Sequence, residues 1–159
     1  MTQSMERTHT VIVGAGQAGL AMSAHLRDQG IDHIIFEKHR LVERWRSARW
    51  DSLVANGPAW HDRFPVKEFA GICGDEFAKR DNVVRYFETF ADSIEAPVRC
   101  GVEVKYVTRR ENGRFFVQTT SSQVEADNVV AATGPFQTPV MPTLVPKTDG
   151  LMQIHSSAY

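Results

Sequence analysis

Residues Val11-Ile12-Val13-Gly14-Ala15-Gly16-Gln17-Ala18-Gly19 constrain this chain more than any other stretch, because a short apolar strand runs directly into a G-x-G-x-x-G turn. Gly14 permits the tight turn out of the strand and Gly16 lets the backbone approach a pyrophosphate. Gly19 lets the next helix pack closely on the strand, which aims the amides of Gln17, Ala18 and Gly19 at the phosphates. With 11 glycines in the chain, such spacing can also arise as a plain turn, so the context decides. Leu20, Ala21, Met22, Ala24 and Leu26 supply an apolar helical face, Gly30 stands where a C-cap belongs, and His33-Ile34-Ile35-Phe36 reads as a second strand. That strand ends in Glu37, where a carboxylate accepts hydrogen bonds from an adenosine ribose. Lys38 follows as a further cofactor-side residue, and with His39 and Arg40 it supplies positive charge that a 2′-phosphate would also meet.

The 159 residues make one ordinary domain, and 42% hydrophobic with 23% charged residues is a normal globular composition. A net charge of −1 gives no field that favours nucleic acid or an anionic membrane. Cys73 and Cys100 form no C-x-x-C pair, which argues against a metal knuckle, a redox dithiol or a disulfide framework; no metal site is expected, and a reduced cytoplasmic protein is. The polar start MTQSMERTHT and the lack of a long apolar run give no sign of a signal peptide or a membrane anchor.

Beyond Glu37, residues 38 to 76 show weak periodicity, three tryptophans (Trp45, Trp50, Trp60) and loop punctuation at Gly57-Pro58, Phe64-Pro65, Gly71 and Gly74. The spacing of Phe77, Val83, Val84, Phe87 and Phe90 predicts a helix over about 75–91. Val102, Val104 and Tyr106 then alternate with charged residues, Glu111-Asn112-Gly113 supplies a hairpin turn, Phe115 to Thr120 returns, and Gln123 to Glu125 reads as a third short strand. Asn128 to Ala132 predicts a buried parallel strand that ends in the corner Thr133-Gly134, ahead of a proline-rich exit. The order predicts an α/β fold: a Rossmann-like domain whose parallel sheet carries an inserted three-stranded antiparallel meander, the layout of FAD-binding domains. Gly134 should then lie beside the glycine turn, since parallel strands bring their carboxyl-end loops to one crevice.

In this order, GAGQAG at 14–19, Glu37, the run Glu43-Arg44-Trp45-Arg46-Ser47-Ala48-Arg49-Trp50-Asp51-Ser52-Leu53, the Ala132-Thr133-Gly134 corner and the terminal His155-Ser156-Ser157-Ala158-Tyr159 resemble the flavin-containing monooxygenases. The likeness is to bacterial two-dinucleotide-domain flavoproteins that also look like the plant YUCCA enzymes, and it covers nearly the whole chain. It implies FAD as cofactor, with the ADP half on Gly14, Gly16, Gly19 and Glu37, and with Trp45, Arg46 and Thr133-Gly134 close to the flavin. Val104 matches the meander position whose backbone meets the adenine, and Asn56 falls where the family places an amide beside the flavin's oxygen-reactive carbon. Asn56-Gly57-Pro58 also reads as a simple turn. The tryptophans also read as core anchors, His25 and His33 as polar surface residues, and His61-Asp62 as part of a polar loop, adjacent side chains pointing apart. Residues 148–159 depart from the Phe-x-Gly-x-x-x-His-x-x-x-Trp signature of the related Baeyer-Villiger enzymes: the Phe is absent, Gly150 to His155 is one residue too long, and Tyr159 replaces Trp. The resemblance therefore favours oxygenation of a soft nitrogen or sulfur centre in a small molecule through a flavin hydroperoxide, with His155 a hinge element.

No second glycine fingerprint occurs in these residues. The expected organisation is an FAD-binding domain over 1–146 and, from 147 to 159, the start of a linker toward an NAD(P)H-binding domain. NADPH or NADH belongs to a complete enzyme, the 159 residues alone are expected to be inactive, and a separate NAD(P)H-binding chain or a homodimer would be the partner. A non-catalytic FAD- or NAD-binding protein is the alternative, and a disulfide-reductase-like flavoprotein is disfavoured by the missing C-x-x-C.

Overall fold

The structure is a computed structural model that describes residues 5–64, 67–135, 138–142 and 152–159. In chain order it contains β1 (Glu6–Val13), α1 (Gln17–Asp28), β2 (His33–Glu37), α2 (Glu43–Ser47), β3 (Val54–Pro58), β4 (Phe77–Lys79), α3 (Arg80–Ser93), β5 (Val98–Cys100), β6 (Val104–Arg109), β7 (Phe115–Thr119), β8 (Gln123–Ala131) and a 3-10 turn at Ser156–Ala158.

Six strands form one sheet in the order β5-β2-β1-β8-β7-β6, while β3 and β4 pair apart from it. β1 runs parallel to β2 (Val11↔Ile34) and to β8 (Val11↔Val129), and β6, β7 and β8 form the antiparallel meander. The central strands read as continuous apolar runs because both sheet faces are covered. Ile12 and Ile35 face a core with Leu20 of α1 and Val83, Phe87 and Phe90 of α3, whereas Val11, Ile34 and Phe36 pack with Val117 and Val124 of the meander.

Four sequence expectations need correction. Gln123–Glu125 and Asn128–Ala131 are one strand: β8 closes the meander against β7 with its first half and runs beside β1 along its length. The helix begins at Arg80, five residues later than the periodicity suggests, because Phe77–Lys79 pairs with β3 and Phe77 stays half exposed. His33 is buried rather than superficial, with Nε2 2.8 Å from the Ser23 hydroxyl and Nδ1 2.9 Å from the Ile31 carbonyl. A carbonyl only accepts, so Nδ1 carries the proton and Nε2 accepts from Ser23, satisfying the burial. Of the tryptophans, Trp60 is exposed and anchors no core.

The predicted boundary at 146/147 lies outside the described residues, as do Thr148 and Gly150. No described helix is long and apolar enough to cross a membrane.

Candidate dinucleotide-binding site

Strand β1 delivers the glycine turn to the carboxyl edge of the sheet, and the three glycines there meet three different surroundings. Gly14 has φ +105°, donates its N–H to the Phe36 carbonyl at 2.8 Å, and a Cβ on it would lie 2.5 Å from the Ala132 oxygen. A Cβ on Gly19 would lie 2.0 Å from the Gly14 oxygen, so α1 can approach the turn only without a side chain at this position. Gly16 differs: no atom lies within 4 Å of its Cβ position. It is the N-cap of α1, makes no side-chain cap, and is followed by no acidic residue in the first turn. The first amides of a helix lack intrahelical partners, and the helix dipole adds positive character there. Open space in front of uncapped amides fits a pyrophosphate, and so the residues present fit a dinucleotide.

The second part of the crevice is Glu37. Its Oε2 accepts from the Ala15 amide at 2.9 Å and its Oε1 from the His39 amide at 3.0 Å. The carboxylate is thereby fixed between the glycine turn and the end of β2. Each oxygen still has acceptor capacity, since a carboxylate offers about four lone-pair sites, and can take a ribose hydroxyl.

Lys38 turns toward the meander, with Nζ 3.3 Å from Oε1 of Glu103. Hydrogen bonds from Lys105 and then Lys38 hold the Glu103 carboxyl below the usual range. This ties the start of β6, and with it Val104, to the end of β2. The Val102 amide also donates to the Glu37 carbonyl at 2.9 Å.

On the opposite flank the Ala132 amide donates to the Val13 carbonyl at 2.9 Å, which sets the corner beside Gly14 as the strand order requires. Thr133 and Gly134 follow it exposed, Gly134 with φ +75°.

The remaining predicted residues occupy other surroundings. Trp45 lies edge-on to Phe87 of α3 at 6.4 Å between ring centroids, with the Arg49 guanidinium 5.5 Å from its own ring. Arg46 pairs with Glu88 and reaches the Leu41 carbonyl at 3.4 Å. Both thus dock α2 on α3. Asn56 stands exposed on β3, between Ala55, which is buried in the same core cluster as Ala15, and Gly57. His155 caps the 3-10 turn, accepting from the Ser157 amide at 3.1 Å, and Tyr159 is exposed.

The sequence reading sets His61 and Asp62 in a polar loop with their side chains pointing apart, and the structure corrects the orientation of Asp62. Its Oδ2 accepts from the Gly57 amide at 2.9 Å and its Oδ1 lies 2.8 Å from His61 Nδ1. The two side chains meet because the chain turns at Pro58, whose carbonyl accepts from the amides of both His61 and Asp62, and does not continue as a strand. Gly57-Pro58 was the available signal. Among the described residues no group of three or more His, Cys, Asp or Glu is placed to hold a metal ion. A separate cleft of about 200 Å³, lined by Arg7, Thr8, Arg114, Glu125 and Asp127, lies toward the other end of β1 from the glycine turn.

Residues 11–159 match the pyridine nucleotide-disulphide oxidoreductase family, and the chain belongs to it. It is 34% identical over 151 residues to an uncharacterized CzcO-like oxidoreductase of Geobacillus kaustophilus, covering 94% of this chain and 42% of that protein. It is 25% identical to the probable indole-3-pyruvate monooxygenase YUCCA1 of Arabidopsis thaliana, covering 94% of this chain and 37% of that one. The flavin-containing monooxygenase from Stenotrophomonas maltophilia superposes with a TM-score of 0.78 at 26% identity, over 87% of this chain and 42% of that chain. The chain therefore spans less than half the length of these relatives, which are oxidoreductases and flavin monooxygenases, and it shares their Rossmann-like fold.

Proposed function

We propose that this member of the pyridine nucleotide-disulphide oxidoreductase family holds FAD at the glycine turn and forms the flavin-binding part of an NAD(P)H-dependent monooxygenase. The carrying observation is the contrast among the glycines: Gly14 and Gly19 are filled by protein, and Gly16 opens onto empty space at the uncapped start of α1. In this reading the amides of Gln17, Ala18 and Gly19 orient the pyrophosphate, and Glu37 binds the ribose hydroxyls and repels a 2′-phosphate. Val104 and Lys38 border the adenine side, and Thr133-Gly134 approaches from the neighbouring strand. Trp45 and Arg46 brace the flank through α3, and the exposed Asn56 amide offers hydrogen bonds at the reactive end.

Bound flavin supplies the electron and oxygen chemistry; the protein's part is to orient it and exclude water. The substrate class we propose is a small molecule with a soft nitrogen or sulfur centre. Residues 1–146 would be the FAD-binding domain and 147–159 the start of the path to an NAD(P)H-binding domain in a longer protein, or in a partner chain. The two free thiols, Cys73 and Cys100, accord with a reducing cytoplasmic setting and give this chain no redox dithiol of its own. The likeness to monooxygenases favours this reading over a non-catalytic binding role.

Equilibrium dialysis of the chain against FAD, NAD and NADP tests it. FAD should bind most tightly. Tighter NADP binding would mean that Glu37 does not face a ribose, and the assignment would fall.

A further inference from the structure

Lys38, His39 and Arg40 follow Glu37 directly, and a cation near that acidic residue is what a dinucleotide crevice uses to accept a 2′-phosphate on the adenosine ribose. The two permanent cations are already engaged by carboxylates. Arg40 donates from Nε and Nη2 to Oε2 and Oε1 of Glu43, at 2.7 and 3.0 Å. Lys38 is held from another element: its Nζ lies 3.3 Å from Oε1 of Glu103, while Lys105 donates to Oε2 of the same carboxylate.

Glu103 reaches Lys38 because backbone hydrogen bonds fix the approach to β6 on the end of β2. The Gly101 amide donates to the His39 carbonyl at 3.0 Å, and the Val102 amide to the Glu37 carbonyl at 2.9 Å. On its other side Glu103 donates its amide to Thr120 Oγ1 at 3.2 Å and accepts from the Thr120 amide at 2.9 Å. Glu37 is bonded in turn to the Ala15 amide at 2.9 Å, so an unbroken set of contacts joins Glu103 to the glycine turn. The charges at this end of the crevice balance: Glu37, Glu43 and Glu103 stand against Lys38, Arg40 and Lys105. A ribose 2′-hydroxyl needs only an acceptor, which Glu37 supplies. A 2′-phosphate brings up to about two negative charges and needs a cation that no carboxylate already holds.

We propose that Glu103 is a specificity-determining residue: by engaging Lys38 it leaves a 2′-phosphate without a cation beside Glu37, and so restricts the crevice to dinucleotides with a free 2′-hydroxyl. This rests on the reading that a dinucleotide lies on the glycine turn with its ribose at Glu37, and it assigns part of the discrimination to the meander. The pair is partly exposed, Lys38 by 56% and Glu103 by 33%. Freeing Lys38 should therefore shift the balance by about fivefold, the upper end for an ion pair of this kind.

The test is equilibrium dialysis of the full 159-residue chain against NAD and NADP, which differ only in the 2′-phosphate, with FAD as the reference ligand. The native chain should prefer NAD. In Glu103→Gln the ratio of NADP to NAD affinity should rise about fivefold at low salt, and the gain should shrink as ionic strength passes about 0.1 M. Adding Lys38→Gln to Glu103→Gln should remove the gain. A folded Glu103→Gln chain that binds FAD and keeps the native ratio overturns the proposal while leaving the cofactor reading standing. A gain that survives Lys38→Gln overturns it too, since another group would then carry the discrimination. In the native chain the Glu103 carboxyl, followed by ¹³C NMR, should titrate below the usual carboxylate range, because Lys105 and Lys38 both donate to it. Ordinary titration there overturns the proposal however the variants fold. A native chain that binds no dinucleotide overturns the cofactor reading, and this inference with it.

Discussion

Adding a single methyl group at Gly19 and at Gly16 should separate folding from ligand binding. In Gly19→Ala the new Cβ would lie 2.0 Å from the Gly14 carbonyl oxygen, against the 3.4 Å or more of an ordinary contact. The struck atom is backbone in a turn that Gly14 already fixes through its 2.8 Å bond to Phe36, so α1 has to move off the strand. Overpacking of this kind costs about 3 kcal/mol at the upper end of its range. Ala gains up to about 1 kcal/mol over Gly in a helix. The net loss is then about 2 kcal/mol, which for a domain of this size lowers Tm by about 4–8 °C. Gly16→Ala meets no atom within 4 Å, and its cost is that of a poorer N-cap, about 0.5–1 kcal/mol. Urea unfolding followed by far-UV circular dichroism measures both. A Gly19→Ala chain as stable as the native one, or a Gly16→Ala chain less stable than Gly19→Ala, would refute the assignment of packing to one glycine and ligand access to the other.

Phe90→Ala should cost about 3–5 kcal/mol, since the ring is buried and stacked on Phe64 at 3.9 Å; thermal unfolding checks it. The Glu43 carboxyl is held down to about 2, first by its hydrogen bonds from Arg40, so its contribution to stability is complete above the ordinary carboxylate range near 4.5 and is lost as the pH falls toward 2. Arg40→Gln should return the Glu43 titration, followed by NMR, toward the ordinary range and flatten that acid limb of the stability curve. The FAD-loaded chain should not be bleached rapidly by NADPH without oxygen. Positioning two reactants can contribute about 7–11 kcal/mol of barrier lowering, and these residues show one glycine turn only. Rapid bleaching would show that the chain completes its own active site.

The glycine turn was legible because Gly19 answers a requirement set five residues back, at the Gly14 carbonyl, although the close approach of Ala132 to Gly14 comes from a strand distant in sequence. The position of Glu37 was legible at the end of a strand whose apolar run is unbroken. β8 was misread as two strands because Asp127 and Asn128 interrupt its apolar pattern, and what unites it is pairing with β1, distant in sequence. The start of α3 was set by the pairing of Phe77–Lys79 with β3, which helical spacing does not register. His33 looked superficial because the hydroxyl that satisfies it belongs to Ser23, on another element. Asp62 was invisible as an anchor until the turn at Pro58 brought it back to Gly57.

The central claim is that FAD lies on the glycine turn in front of Gly16. The most direct measurement is flavin retained after gel filtration, read by absorbance, for the native chain and for Gly16→Val, with Tm recorded on both. The added side chain enters the space where no protein atom lies within 4 Å of the Cβ position, the space assigned to the pyrophosphate. The account predicts about one FAD per native chain, a colourless Gly16→Val chain, and Tm values within a few degrees of each other. A Gly16→Val chain that stays yellow would contradict it.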